Sequence, residues 1–278
     1  MTSKKRFKRA LRTVLAVIGI FLLVAYFKAP NAKFKPVESI LKQSLSSSYR
    51  KNNKKLSKSD LKAKITASSS PANEKIKEAS DLKATPQEVP NDKSYVVVND
   101  NIPLFTNQEI TTTESFQHYG DLDHLNRVTE ADANLGVDLM PADKRGPIDS
   151  IKPTGWKQKK YKTIENNGWL YNRCHLIGYQ LTGQNANAKN LMTGTRWFNV
   201  EGMLPFENFV ADYIERTENH VRYRITPVFV NDELLARGIY MEGFSVEDNG
   251  KGVQFCIYVP NRQPGINLNY KDGSSQKA

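Results

Sequence analysis

The segment GMLPFENFVADYIERT, residues 202–217, is followed almost at once by HVRYRITPVFV, and the two obey different periods. In the first, Phe206, Phe209, Val210, Tyr213 and Ile214 recur at i, i+3, i+4, i+7 and i+8. That is one face of an amphipathic helix, and Pro205 suits its first turn. In the second, Val221, Tyr223 and Ile225 alternate with Arg222, Arg224 and Thr226, the period-two pattern of a half-buried strand. The runs GIYMEGFSVED and VQFCIYVPN then flank the turn NGKG and read as a β-hairpin. A helix followed by hairpin-connected strands predicts an α+β fold with an antiparallel sheet late in the chain. No internal repeat is visible.

Upstream the signals are shorter. YVVVN reads as a strand. LDHLNRVTEADANLGV puts Leu122, Leu125, Val128, Ala131 and Leu135 near helical spacing, so a helix is expected there. MPADKRGPIDSIKPTGW is a Pro/Gly loop. GWLYNRC reads as a short strand that delivers Arg173 to His175 at its end.

Charge divides the chain. The formal charge of +11 invites a nucleic-acid partner, but residues 1–90 hold 20 of the 40 basic and 6 of the 29 acidic groups. That arm carries +14 and the remainder −3, so any phosphate-binding surface on the globular part must be a local cluster. The arm begins with MTSKKRFKRALR and the uncharged run TVLAVIGIFLLVAYF, Thr13–Phe27. The run is 15 residues, or 17 counted from Leu11 with Arg12 snorkelling, at the short edge of a membrane span. The imperfect small-residue pattern in AYFKAPNAK favours an uncleaved anchor over a secretory signal. The positive flank keeps the N-terminus inside and the bulk of the chain outside. Residues 1–29 are therefore expected to anchor the chain in the membrane, with secretion after cleavage as the alternative. Residues 30–92, rich in Lys, Ser, Ala, Asn and Pro, are expected to form a flexible basic linker. Residues 93–278 are expected to form the folded domain. Two cysteines, Cys174 and Cys256, are too few for a disulfide framework or a Cys-rich zinc site; one bridge between them stays open.

The stretch LYNRCHLIGYQLTGQNANAKNLMTGTRWFN, Leu170–Asn199, holds the chemistry. Phosphodiester hydrolysis needs a proton acceptor for the attacking water, and a neutral histidine serves near pH 7. A divalent cation can stabilise charge on the phosphate and the leaving oxygen. A hard cation wants oxygen ligands and keeps most of its waters, so one Asn carbonyl is a sufficient protein ligand. Arginine can grip a phosphate bidentately. His175, Asn199, Arg173 and Glu207 supply these groups.

With these residues the sequence resembles the DNA/RNA non-specific endonucleases, the ββα-metal or His-Me finger nucleases. Within them it is most similar to the DNA-entry and secreted streptodornase-type nucleases of Gram-positive bacteria. The resemblance covers roughly Ser94 to Tyr270. The family signature is Asp-Arg-Gly-His at the end of a strand, then an Asn-rich loop and a helix bearing the metal-binding Asn. NRCH at Asn172–His175 keeps the Arg and the His and replaces the Asp and the Gly. NAKN ends in Asn190, TRWFN ends in Asn199 nine residues later, and Glu207 follows eight residues after that.

The resemblance implies a ββα-metal core and a Mg²⁺-dependent enzyme, with Mn²⁺ as the natural substitute, that cuts DNA, or RNA, without sequence preference. It implies His175 as general base, Asn199 as the sole direct protein ligand to Mg²⁺ and Glu207 as holder of metal-bound waters. Asn190 would support the loop or His175, and Arg173 would approach phosphate or organise the loop. Arg145 and Arg127 are weaker candidates for holding substrate, with salt bridging or solvent exposure as the competing explanations. The asparagines are otherwise turn residues, and Glu207 is otherwise a first-turn acid favoured by the helix dipole. Trp156, Trp169 and Trp197 are expected in the core rather than as base-stacking platforms. The rival functions are a cysteine hydrolase using Cys174, a surface DNA receptor of weak or no activity, and a tethered structural protein.

Overall fold

The expected C-terminal hairpin belongs to a six-stranded sheet. In the computed structural model, which describes residues 82–165 and 167–278, the strands are β1 (Val96–Val97), β2 (Phe116–Tyr119), β3 (Ala131–Leu135), β6 (Val221–Val228), β7 (Gly238–Ser245) and β8 (Gln254–Pro260). They run in the order β1-β8-β7-β6-β3-β2, and every neighbouring pair is antiparallel. A separate antiparallel pair joins β4 (Tyr171–His175) to β5 (Leu191–Thr195), with the one-turn helix α1 (Tyr179–Thr182) between them. The long helix α2 spans Leu204–Thr217, and β9 (Ile266–Leu268) pairs with β10 (Ser275–Lys277). The fold is α+β with an antiparallel sheet. The reading of residues 1–29 as an anchor, and of the linker up to residue 81, lies outside the described residues. Among the described residues no helix is long and apolar enough to cross a membrane.

Helix α2 lies against one face of the large sheet. Its buried side chains are Phe206, Val210, Ala211, Tyr213 and Ile214. Phe206 sits 5.2 Å from the ring of Phe255 on β8 and makes an edge contact with Tyr95 at 4.9 Å. Burying Phe206 fully is worth roughly 1.5–3 kcal/mol by transfer of its apolar surface. On the opposite face, Val228, Tyr240, Cys256 and Tyr258 form a second cluster with Leu82, Val89 and Val96 packed against it.

Three expectations are corrected. Residues 122–135 form no helix. Asp123 takes the backbone N–H groups of Leu125 and Arg127 on one carboxylate oxygen, and Asn126 turns the chain with φ of 60°. Beyond this turn, Ala131, Ala133 and Leu135 alternate inward on β3 with no exposure, a period-two pattern inside the apparent helical one. Second, β6 is buried on both faces over residues 221–225, not half-buried. Arg222 and Arg224 are tolerated there because Asp132 on β3 accepts a bidentate pair from Arg222 at 2.7 and 2.6 Å and a further bond from Arg224 at 3.2 Å. Glu109 also pairs with Arg224, and the rings of Phe105 and Phe116 cover the guanidinium groups.

The third correction concerns the linker boundary at residue 92. Lys83 Nζ pairs at 3.1 Å with Glu242, whose side chain is wholly buried. Gln87 donates to Tyr240 Oη at 2.6 Å, and Arg262 donates to the carbonyls of Val89, Pro90 and Lys93. The packed part of the chain therefore includes residues 82–92. Cys174 and Cys256 are both free thiols buried on different strands, so the open question of a bridge is answered.

Candidate active site

The site is built on β4, β5 and the turn that feeds α2. β4 pairs with β5 in a register that sets His175 opposite Leu191 and Arg173 opposite Thr193. Asn190, immediately before β5, is fully buried. Its side chain accepts from Ile177 N at 2.9 Å and donates to Ile177 O at 3.1 Å, while its carbonyl accepts from Leu176 N at 2.9 Å. These three bonds fix the backbone just after His175. A side-chain amide that mimics a strand partner is the physical reason for an Asn there.

After β5 the chain winds through a wide helical turn, Phe198–Met203, before entering α2. That turn carries Asn199, and the first turn of α2 carries Glu207. His175, Asn199 and Glu207 line one open cavity of about 880 Å³, together with Arg145, Arg173 and Arg196. Three arginines against one carboxylate make this a basic cavity in a globular part whose net charge is −3. The basic cluster required by the charge distribution is thus present, and it suits a polyanion.

His175 is only 6% exposed. Nε2 lies 2.8 Å from the carbonyl oxygen of Asn185, which can only accept, so Nε2 carries the hydrogen. Nδ1 then holds the lone pair, 3.3 Å from Arg145 Nη2. Burial pushes the imidazole pKa below its ordinary value; the Asn185 bond opposes this shift and the Arg145 charge adds to it. The ring is therefore held neutral near pH 7, and its basic nitrogen Nδ1 accepts a hydrogen bond from the Arg145 guanidinium in this structure. Glu207 is shifted in the opposite sense: burial raises its pKa to about 7, against the lowering effect of Arg145. Its carboxyl packs on Gly178, where a Cβ would stand 3.1 Å from Glu207 Cδ and Oε2.

The remaining expected residues are placed differently. Arg173 Nε donates to Ile151 O at 2.5 Å and Nη2 to Asp149 O at 2.9 Å, while its guanidinium lies 4.2 Å over the Trp156 ring. Of its two suggested roles, the contacts are those of a loop organiser on the cavity wall. Arg127 is not brought to the cavity. It is buried against Asp123 at 2.7 Å, donates to the carbonyls of Asn231 and Glu233, and stacks on Phe229. Its contacts are those of a structural ion pair. Cys174 points away from the cavity, with its thiol buried and its pKa pushed far above the ordinary value by desolvation. Trp169 is not a core residue: it is 45% exposed and lines the cavity.

Two contributors were missed from sequence. Arg196 stands three residues before Asn199, a spacing that shares a helical face and could have flagged it. Asn185 acts through its backbone carbonyl, which leaves no trace in side-chain identity; its amide also donates to Pro147 O at 3.2 Å and ties down the loop carrying Arg145.

Known proteins share this fold. The fold is similar to that of NucA from Streptococcus agalactiae with magnesium ion bound, at a TM-score of 0.60 and 22% identity over 77% of this chain and 98% of that one. The metal-free form of NucA gives a TM-score of 0.59 at the same identity, covering 77% of this chain and 99% of that one. The Sda1 nuclease with bound zinc ion is 28% identical, with a TM-score of 0.50 over 59% of this chain and 81% of its own. Residues 106–246 match the DNA/RNA non-specific endonuclease family, and this span covers β2 to β7 with every cavity residue named above. By that match the chain belongs to the DNA/RNA non-specific endonucleases, enzymes that hydrolyse nucleic acid.

Proposed function

We propose that the protein is a Mg²⁺-dependent endonuclease that cuts DNA, or RNA, without sequence preference. His175 is its general base and Asn199 its direct protein ligand to the metal. The observation that carries this reading is the shared cavity: the lone pair of His175 Nδ1, the Asn199 amide and the Glu207 carboxyl line one space walled by three arginines.

The residues present fit a hard divalent cation. Among the described residues no group of three or more His, Cys, Asp or Glu side chains is placed to hold a metal. An ion here would rely on the Asn199 carbonyl and on water, with Glu207 holding that water, and a largely hydrated ion of this kind suits Mg²⁺. Glu207 supports the fit, because a carboxylate desolvated this strongly gains from a nearby cation. The magnesium of NucA and the zinc of Sda1 favour a divalent ion in the same fold. Mn²⁺ would substitute. When bound, the ion would stabilise negative charge on the scissile phosphate and on the leaving oxygen.

His175 Nδ1 accepts the proton of the attacking water as its oxygen bonds to phosphorus and the opposite P–O bond breaks. The resulting imidazolium is stabilised through Nε2–H and the Asn185 carbonyl. Asn190 holds the backbone that fixes the ring, and Arg173 holds the 149–151 loop. Arg145 and Arg196 remain to grip the phosphate. Arg145 opposes imidazolium formation while the cavity is empty, and an anionic phosphate that drew the guanidinium onto itself would weaken that opposition. A cysteine hydrolase is disfavoured, since a buried, strongly protonated thiol is no nucleophile. With residues 1–29 as an anchor, the enzyme would work on the outer side of the cell membrane.

The test incubates the protein with closed circular DNA in the presence and absence of Mg²⁺, beside the variant His175→Ala. Nicked and linear forms without preferred ends are expected only with metal. His175→Ala should lose about 10²–10⁴-fold in rate. Cleavage by His175→Ala at the wild-type rate would refute the assignment of the base.

A further inference from the structure

Trp169 is the feature the mechanism leaves unused. It is 45% exposed, whereas the neighbouring Leu170 is fully buried, so the chain turns this indole outward and anchors itself through the next residue. Its mounting is firm. Trp169 bridges Lys160 in antiparallel fashion, Leu170 N donates to Lys159 O at 3.0 Å, and Tyr161 N donates to Gly168 O at 2.9 Å. The turn uses Asn167 and Gly168, both at positive φ, and Gly168 lies so close to the Tyr161 carbonyl that a Cβ would sit 2.9 Å from its oxygen. Such a mount leaves nearly half of a large apolar residue in water, where the exposed part gains nothing from burial.

The surroundings indicate what the ring is for. Lys160 Nζ stands 4.3 Å from the indole centroid, and Trp169 lines the same cavity as His175 and Asn199. Trp169, Arg173 and His175 all line that cavity, and Trp169 stands two residues before the strand that carries the other two. At about 3.3 Å per residue, Trp169 lies no more than roughly 20 Å from His175, within reach of the same bound strand.

We propose that Trp169 is a stacking platform for an unpaired nucleobase, with Lys160 taking an adjacent phosphate, so that the enzyme favours single-stranded nucleic acid over intact duplex. The proposal rests on the nuclease reading of the cavity. Every base has a π-face, so an indole adds affinity without adding sequence preference. A base inside a duplex is already stacked on its neighbours and has no free face to offer. Preference for unpaired strands follows from that difference.

The experiment measures binding by the full chain in EDTA, where cleavage is blocked. Wild type, Trp169→Ala and Trp169→Phe are compared on a single-stranded oligonucleotide, on a duplex of the same sequence, and on strands with one abasic position walked along their length. Trp169→Ala should weaken single-strand binding about 5- to 100-fold. Duplex binding should change less than about twofold, and Trp169→Phe should retain most of the affinity because it keeps an aromatic face. One abasic position should weaken wild type and leave Trp169→Ala unaffected. Equal losses on both substrates, or an abasic penalty that persists in Trp169→Ala, would overturn the proposal. A chain that binds strands through Trp169 yet cuts no DNA with Mg²⁺ would refute the nuclease mechanism and leave the platform standing. A chain that cuts DNA but binds single strands unchanged in Trp169→Ala would refute the platform alone.

Discussion

His175 donates from Nε2 to the backbone carbonyl of Asn185 at 2.8 Å, and this bond decides which nitrogen can act as a base. A carbonyl cannot donate, so the proton stays on Nε2 and the lone pair is confined to Nδ1. That nitrogen is the one 3.3 Å from Arg145. The guanidinium charge adds to burial in keeping the ring neutral.

The acid limb of the pH–rate profile should therefore lie below the ordinary histidine value when metal is saturating. Replacing Arg145 by Gln removes a charge that lowers the pKa, so the limb should move upward. The pH dependence of kcat/KM and an NMR titration of the His175 ring would both read the shift. A limb that moves downward in Arg145→Gln would contradict this electrostatic account.

Gly178 holds a place against Glu207 that a methyl group would contest. Its φ of −55° and ψ of 145° are open to alanine, so Gly178→Ala should fold normally. The new Cβ would press on the carboxyl at 3.1 Å and displace it by a few tenths of an ångström. Half-saturating Mg²⁺ for cleavage should rise about 10-fold, as expected for a group that orients a metal site indirectly. An unchanged Mg²⁺ titration would show that Glu207 does not serve the metal.

Glu207 should make the metal-free enzyme less stable as pH rises. Burial raises its folded pKa to about 7 from an ordinary value of 4.5. Its favourable contribution is complete below pH 4.5 and is lost as pH rises through 7. Metal-free wild type should accordingly lose on the order of 2 kcal/mol between pH 5 and pH 8. Glu207→Gln should flatten that dependence, and saturating Mg²⁺ should oppose it. Denaturant melts at the two pH values, with and without Mg²⁺, decide the matter.

Lys83 compensates the wholly buried carboxylate of Glu242, which also accepts from Leu104 N at 2.6 Å. A chain beginning at residue 93 loses the lysine and leaves the charge behind. It should be less stable than a chain beginning at residue 82 by about 3 kcal/mol. Glu242→Gln in the shorter chain should recover part of the loss. Equal denaturation midpoints for the two chains would show that residues 82–92 contribute nothing.

The sequence by itself determined what is local. The apolar repeat of Phe206, Val210, Tyr213 and Ile214 is written at the period of a helix and needs no partner to be read. The C-terminal hairpin and the strand ending in His175 are equally local. The motif spacing also pointed to His175, Asn199 and Glu207, and the structure brings these three to one cavity.

Tertiary structure decided the rest, because those outcomes depend on groups far apart in the chain. Residues 131–135 satisfy helical spacing and strand alternation together, and only pairing with β2 and β6 selects the strand. Arg222 and Arg224 look like solvated residues until Asp132 and Glu109, about ninety and more positions away, neutralise them inside the fold. Arg127 and Arg145 are alike as letters; one is spent on Asp123 and the other meets His175 across thirty residues. Trp169 stands outside the core because the inward place beside it is taken by Leu170. Periodicity records which face of an element is apolar, and only packing records what that face meets.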